Sequence, residues 1–586
     1  MNPRAKYFVL FLLVFVLSLW LYFFFSTTDA NTIYVNAKIY TMDGENGIAE
    51  AMAVGGNKII GIGSRDDIER KFRAPATVDL QGRTVVPGLI DAHAHLLSLG
   101  ISKLTVDLVG TTSTDTIVQR VKDRVARVEA GQWVRGRGWD QNDWSVKSFP
   151  THRTLDRVSP SNPVYLTRID GHAAWVNKKA LEIAGITRAT PDPPGGKIIR
   201  DGRGNPTGVL IDAAMRLVSS KMPSISHAEI QEALRLAVAE CAALGITTVH
   251  DMGVDLEDVL LYQQAIDNNL PMIRIYAAIG GTESTWNHFV EKGPLVGYGE
   301  GLLTVRALKL YIDGALGSRG AALIEPYTDD PQNRGLTIVG EQKFRSDVEE
   351  ALKHGFQVCT HAIGDRGNNI VLNSYEKALA TVPSGDYRLR VEHAQVVSRS
   401  DIPRFNQLGV LPSMQPTHCT SDMYWAEARL GPERVKGAYA WRSFRDAGSI
   451  IPGGSDFPVE RPNPIHGIYA AVTRRDLQGH PIDAQDVVRN FQLSPSGISN
   501  PADFENGWYV KEKLTREEAL RMFTTWAAWS EFAEKEKGSL EKGKFADFVV
   551  LSDDIMAVAE DQIPQIHAVM TVVGGKVLHN TIPISD

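Results

Sequence analysis

The pattern of apolar and polar positions changes twice along the chain. Residues 7–25, "YFVLFLLVFVLSLWLYFFF", form one apolar run in which Ser18 is the only small polar residue. As a helix this run spans roughly 28 Å, close to the ~30 Å core of a bilayer. From Asn31 the pattern becomes short β-branched and apolar runs cut by Gly, Asn and Asp, as in "NTIYVNAKIYTMD", "AMAVGGNKIIGIGS" and "ATVDLQGRTVV". These predict hairpins of an antiparallel sheet. The C-terminus repeats the texture in "KGSLEKGKFADFVVLSDD" and "IHAVMTVVGGKVLHN", where Gly-Gly between two apolar runs signals a two-residue turn. The two chain ends can therefore pair into one β domain with the middle of the chain inserted between them.

In that middle, continuous apolar runs alternate with helical periodicity. Strands are expected at 245–252, 273–279, 303–313, 356–364, 389–395, 409–416 and 450–456, with helices between them at, for example, 226–244 and 344–355. Alternation of this length predicts a parallel α/β barrel. A doubly wound sheet is the alternative, but no GxGxxG opens a helix after the first strand. The stretch from about 100 to 225 is too long for one crossover and reads as an inserted subdomain. A second insert, rich in Gly, Pro and Asn, falls at about 482–507.

Composition alters this picture little. The 586 residues are 43% hydrophobic and 22% charged, which is ordinary for a globular protein. A net charge of −7 without a basic run argues against a nucleic-acid partner. Cys241, Cys359 and Cys419 are too few and too scattered for a disulfide framework or a CxxC metal site. Charge does matter at the N-terminus. Arg4 and Lys6 precede the apolar run and no basic residue follows until Lys38. The positive-inside rule then predicts a single-pass membrane anchor in residues 1–30 and a body on the non-cytoplasmic side, periplasmic or extracellular in a bacterium. Secretion after signal-peptide cleavage before Asn31 is the alternative.

Candidate chemistry sits at the strand ends. His93 and His95 in "VVPGLIDAHAH" are two residues apart, so they share one side of a strand. His361 in "CTHAIGD", His393 in "RVEHAQ" and Asp456 in "IPGGSDFPV" each follow an apolar run. In a barrel, that position is the catalytic mouth. Lys309 lies within "VRALKLYIDG", where an unpaired ammonium would be expensive to bury. It either pairs with Asp313 or loses its charge, and reaction with CO₂ would turn it into a carbamate able to bridge two metal ions. His93, His95, Lys309, His361, His393 and Asp456 form a mixed N/O donor set suited to Zn²⁺ or a similar divalent ion, one or two per site. Such metals activate water and polarise a carbonyl, and Asp456 is placed to carry the proton. His250 and Asp251 in "TVHDMG" read as strand-end structure.

The stretches "VVPGLIDAHAH", "GRGWDQNDW", "VYLTRIDGHAAWVN", "PTGVLIDAAM", "GITTVHDMG", "KLYIDGALGSRGAAL", "THAIGDRGNN", "RVEHAQ", "GGSDFPVERPNP" and "KGSLEKGKFADFVVL" follow one another in an order that resembles the amidohydrolase superfamily. The resemblance is to its YtcJ-like branch, which includes N-substituted formamide deformylases. It implies a (β/α)8 TIM-like barrel at 88–536 with the inserted subdomain, and a composite β-sandwich domain from 31–87 and 537–586. It also implies the metal roles above, with His172 acting in catalysis and facing the substrate beside Trp139. The implied function is metal-dependent hydrolysis of a non-peptide carbon–nitrogen bond in an amide, formamide, carbamate or cyclic amide of a small molecule. Ester or lactone hydrolysis at the same site, and a non-catalytic ligand-binding or signalling barrel at the membrane, are the alternatives. A homodimer is left open by the sequence.

Overall fold

The computed structural model describes residues 27–169, 171–280, 283–490 and 500–582. It divides into two compact units, one of residues 1–95 with 238–586 and one of residues 96–237.

The first unit contains an all-parallel barrel. Its strands are Leu89–Ala94, Ile246–Val254, Arg274–Ile279, Leu303–Tyr311, Gln357–Ala362, Arg390–His393 and Leu411–Ser413, each pairing with the next. They are nearly all buried, which is why they read as continuous apolar runs without strict alternation. An eighth segment, 451–457, closes the ring. The Met414 N–H donates to Pro452 O at 3.0 Å, Ala92 to Gly453 O at 2.9 Å, and His95 to Phe457 O at 2.9 Å. Gly454 is required there, since a Cβ would lie 2.5 Å from the His93 nitrogen.

The two chain ends build the second layer of this unit. Phe548–Leu551 pairs antiparallel with Ala76–Pro87, which runs parallel to Thr32–Tyr40. Hydrogen bonds join these strands into one eight-stranded sheet; the two-sheet sandwich expected from the sequence is not what they describe. Both faces of the sheet are covered. Tyr34, Val85, Phe548 and Met570 pack on one side, and Ile33, Val35 and Ala53 pack with Ile68 on the other. Gly574 and Gly575, with φ of 53° and 73°, turn the C-terminal hairpin, a conformation that glycine adopts without strain.

The unit of residues 96–237 holds a six-stranded sheet from Val106–Asp107 to Gly196–Arg200. Trp139, Trp144 and Trp175 cluster in its core.

The membrane-anchored architecture expected from the sequence requires correction. Among the described residues no helix is long and apolar enough to cross a membrane. The 17-residue helix His227–Ala243, for instance, carries Glu229, Glu232, Arg235 and Glu240. This removes the support for a single-pass anchor and for a body placed outside the cytoplasm. The run 7–25 that prompted both expectations lies outside the described residues.

Candidate functional site

The C-terminal ends of the barrel strands surround a cavity of about 360 Å³, lined by His93, His95, Lys309, His361, His393 and Asp456. The structure therefore brings together all six groups that the sequence places at strand ends. The nitrogen or oxygen atoms of His93, His393 and Asp456 lie within 4.8 Å of one another. His361 packs edge-on to His393, with centroids 4.6 Å apart. Asp456 Oδ1 is 3.1 Å from His95 Nε2 and 3.5 Å from His93 Nε2.

Hydrogen bonds fix how these rings present themselves. His93 Nδ1 donates to Glu392 Oε2 at 2.6 Å, and His95 Nδ1 donates to the Met252 carbonyl at 2.9 Å. His393 Nδ1 faces Gln415 Oε1 at 2.8 Å. With the proton on Nδ1 of His93 and His393, Nε2 is left as a free lone pair, the form in which imidazole binds a metal; at His95 burial is outweighed by the Asp456 carboxylate, which pairs with Nε2 at 3.1 Å and raises the ring's pKa. Burial holds His93 down to about 4 and His361 to about 3, so both rings stay neutral at physiological pH. Burial opposes ionisation of Asp456, but His93, His95 and His393 outweigh it and keep the carboxyl well below its usual range. His393 and Asp456 both adopt positive φ, 75° and 62°. Non-glycine residues rarely hold this conformation except where a site demands it.

Lys309 is 2% exposed. Its Nζ lies 3.5 Å from His93 Nε2 and 5.1 Å from the centre of the Tyr311 ring, with no carboxylate in ion-pair range among the described residues. Asp313 is engaged elsewhere, accepting from the backbone N–H groups of Ile363, Gly364 and Ala322 at 2.8–2.9 Å. Burial lowers the Lys309 pKa, favouring the neutral amine. The donor set fits a divalent cation. It offers neutral imidazoles with bare Nε2 atoms, an ionised carboxylate, and a His361 Nε2 that is buried without a hydrogen-bond partner.

Four further polar residues of the site escaped the sequence reading. Glu392 is fully buried and takes the Nε–H of Arg390 at 2.7 Å as well as the His93 proton. Arg390 in turn donates to His250 Nδ1 at 2.7 Å, so His250 is a buried support within the barrel. Arg390 and Glu392 are two apart on one strand face, and that i, i+2 pairing was the available signal. Gln415 orients His393, and His418 lines the cavity itself. Because Glu392 holds the ring of His93, Glu392→Gln is expected to weaken metal binding about 10–100-fold. Competition with a chromogenic chelator checks this, and unchanged affinity would assign the orientation of His93 to packing alone.

The two remaining sequence candidates lie in the unit of residues 96–237. Trp139 is fully buried in that unit's core, its rings 5.9 and 6.2 Å from those of Trp144 and Trp175, and its Nε1–H donates to Leu166 O at 2.8 Å. Its surroundings are those of a packing residue. His172 is exposed, with Nδ1 2.8 Å from Asp212 Oδ1. The chemistry available to the barrel groups does not require it.

Comparison with known proteins gives concordant results. Residues 76–579 match the amidohydrolase family. The chain is 35% identical to "Protein LONG AFTER FAR-RED 3" of Arabidopsis thaliana, covering 94% of this chain and 92% of that protein. It is 34% identical to YtcJ of Bacillus subtilis (strain 168), named as an amidohydrolase, covering 92% and 98%. It is 29% identical to the N-substituted formamide deformylase of Arthrobacter pascens, covering 94% and 98%. Among solved structures, an uncharacterized metal-dependent hydrolase from Pyrococcus horikoshii superposes with a TM-score of 0.70 at 26% identity, over 90% of this chain and 99% of that one.

Proposed function

The chain belongs to the amidohydrolase family, and from that premise we propose that it hydrolyses a non-peptide carbon–nitrogen bond of a small N-substituted amide, formamides foremost. That it is a hydrolase acting on carbon–nitrogen bonds, with a divalent metal at its site, follows from the family and its metal-dependent relatives. The finer reading rests on one observation: His93 and His393 with their Nε2 atoms bared, His95 paired with an ionised aspartate, and a His361 Nε2 and a buried lysine that have no hydrogen-bond partner and no counter-ion, respectively, among the described residues meet in one cavity. The relative that is named for formamide deformylation supports the choice of substrate.

The residues divide the work as follows. His93, His95 and Asp456 would hold one ion and His361 and His393 a second, with Lys309 as a carbamate between them. Zn²⁺ suits these donors. Neutral Lys309 forms the carbamate when its nitrogen bonds the carbon of CO₂ and releases a proton to water. The metal, when bound, supplies Lewis acidity that lowers the pKa of water and polarises the carbonyl. Asp456 accepts the proton of the attacking water while the water oxygen bonds the carbonyl carbon. The same carboxyl then gives that proton to the departing nitrogen as the C–N bond breaks, leaving a carboxylic acid and an amine. Glu392 keeps His93 in the required tautomer throughout. The catalytic part is the barrel, about residues 88–536 without the insert.

A panel of formamides, acetamides, carbamates and cyclic ureas tests the assignment. Hydrolysis of at least one N-substituted formamide is expected. Inactivity of metal-loaded protein on the whole panel would refute it.

A further inference from the structure

His418 sits in the helix Pro416–Asp422, directly after the seventh barrel strand, and lines the same cavity as the metal-binding groups. Its ring lies nearly parallel to that of His393, 5.9 Å away with 13° between the planes, which fixes its orientation. Its Nε2 is buried, has no hydrogen-bond partner among the described residues, and stands 3.7 Å from Asp456 Oδ2. That separation is too long for a hydrogen bond. Neighbouring polar groups are already engaged with one another. Gln395 donates to Asp422 at 3.0 Å and to Tyr439 Oη at 2.7 Å, and Tyr439 donates to Asp422 at 2.6 Å. His418 Nε2 is thus a buried, unsatisfied atom pointing at the place where Asp456 delivers its proton, and buried polar groups of this kind ordinarily find a partner.

Resting on the C–N hydrolase reading, we propose that His418 contacts the substrate and selects for a leaving nitrogen that carries a hydrogen. With its proton on Nδ1, His418 presents a bare Nε2 to the cavity. A bare Nε2 accepts the N–H of a primary or secondary amide. Holding that N–H turns the nitrogen's lone pair toward Asp456, the group that must protonate it as the C–N bond breaks. Esters and tertiary amides have no such hydrogen and leave Nε2 unpaired, and sites built around a hydrogen bond discriminate strongly against analogues that lack it. The site therefore takes N–H amides and disfavours esters, lactones and tertiary amides.

The test compares formanilide, N-methylformanilide and phenyl formate as substrates of metal-loaded wild type, His418→Phe and His418→Gln, with metal-to-protein ratios measured in parallel. Each kcat/KM is divided by the substrate's rate with hydroxide in water. Wild type is expected to prefer formanilide over both analogues by about 100-fold. In His418→Phe that preference should fall at least about 30-fold, with metal content matching wild type. In His418→Gln, whose amide oxygen can still accept, part of it should remain. Undiminished preference in His418→Phe would overturn the proposal, as would loss of metal, which would make His418 a ligand. Failure of metal-loaded wild type to cleave formanilide or any member of the amide panel above would overturn the underlying hydrolase reading as well, whereas cleavage with a preference indifferent to His418 would remove only the role of His418.

Discussion

Asparagine in place of Asp456 is expected to cut kcat/KM for a susceptible N-substituted formamide by about 1,000-fold or more, while the purified variant retains most of its metal. The argument is geometric. Asp456 Oδ1 stands 3.5 and 3.1 Å from the Nε2 atoms of His93 and His95 and lines the cavity with them. It is also held ionised by the histidines around it, which outweigh its burial. An ionised carboxylate can accept the water's proton and release it to the leaving nitrogen; a carboxamide can do neither. Asparagine keeps nearly the same shape and one oxygen for a cation, so the loss should fall on kcat more than on metal content. Steady-state kinetics with metal analysis on the same sample separate the two. A variant with kcat/KM within about tenfold of wild type would place the proton transfer elsewhere.

Lys309→Ala should have the second largest effect. A buried amine beside His93, with no ion-pair partner among the described residues, is costly as an ammonium and useful as a carbamate. Removing it deletes the bridge, so the variant is expected to lose at least one of two bound ions and most of its activity. Acetate or propionate, whose two oxygens can occupy the vacated space, should restore part of both. Full metal content in Lys309→Ala would exclude a bridging role and leave the lysine as a positive charge beside His93.

Much of this arrangement was legible in the residues. The barrel strands stand out because parallel strands buried on both faces read as unbroken apolar runs, "LTVRALKLY" being one. The two β-rich chain ends carry a shared texture of hairpins, and Phe548–Leu551 pairs with Ala76–Pro87. Other features depend on packing that no local pattern reports. The sequence predicts a strand at 450–456, but Pro452, Gly453 and Gly454 leave the segment only scattered bridges to its neighbours. Strict alternation would set His393 opposite Arg390 and Glu392, yet its positive φ turns the chain at that residue and brings its ring to the mouth. Glu392 carries no signal of its own in the sequence, because its role depends on Arg390 and His93 closing around it. His418 lies on a helix beyond a strand end, outside the apolar runs that mark the barrel strands. Trp139, assigned to the substrate by resemblance, fills the core of its own unit. The apolar run 7–25 reads as a span from hydropathy alone, and the described helices offer nothing to support an anchored molecule.

The central claim, that the six groups at the barrel mouth hold a divalent metal that hydrolysis requires, is tested most directly by metal analysis of the purified full chain beside the His93→Ala/His95→Ala variant. N-substituted formamide hydrolysis is followed through chelation and re-addition of Zn²⁺. The expected result is about one to two ions per wild-type chain, activity lost on chelation and regained with Zn²⁺, and neither metal nor activity in the double variant. Wild type that hydrolyses the formamide undiminished after complete removal of metal, or a double variant that binds metal as wild type does, would contradict it.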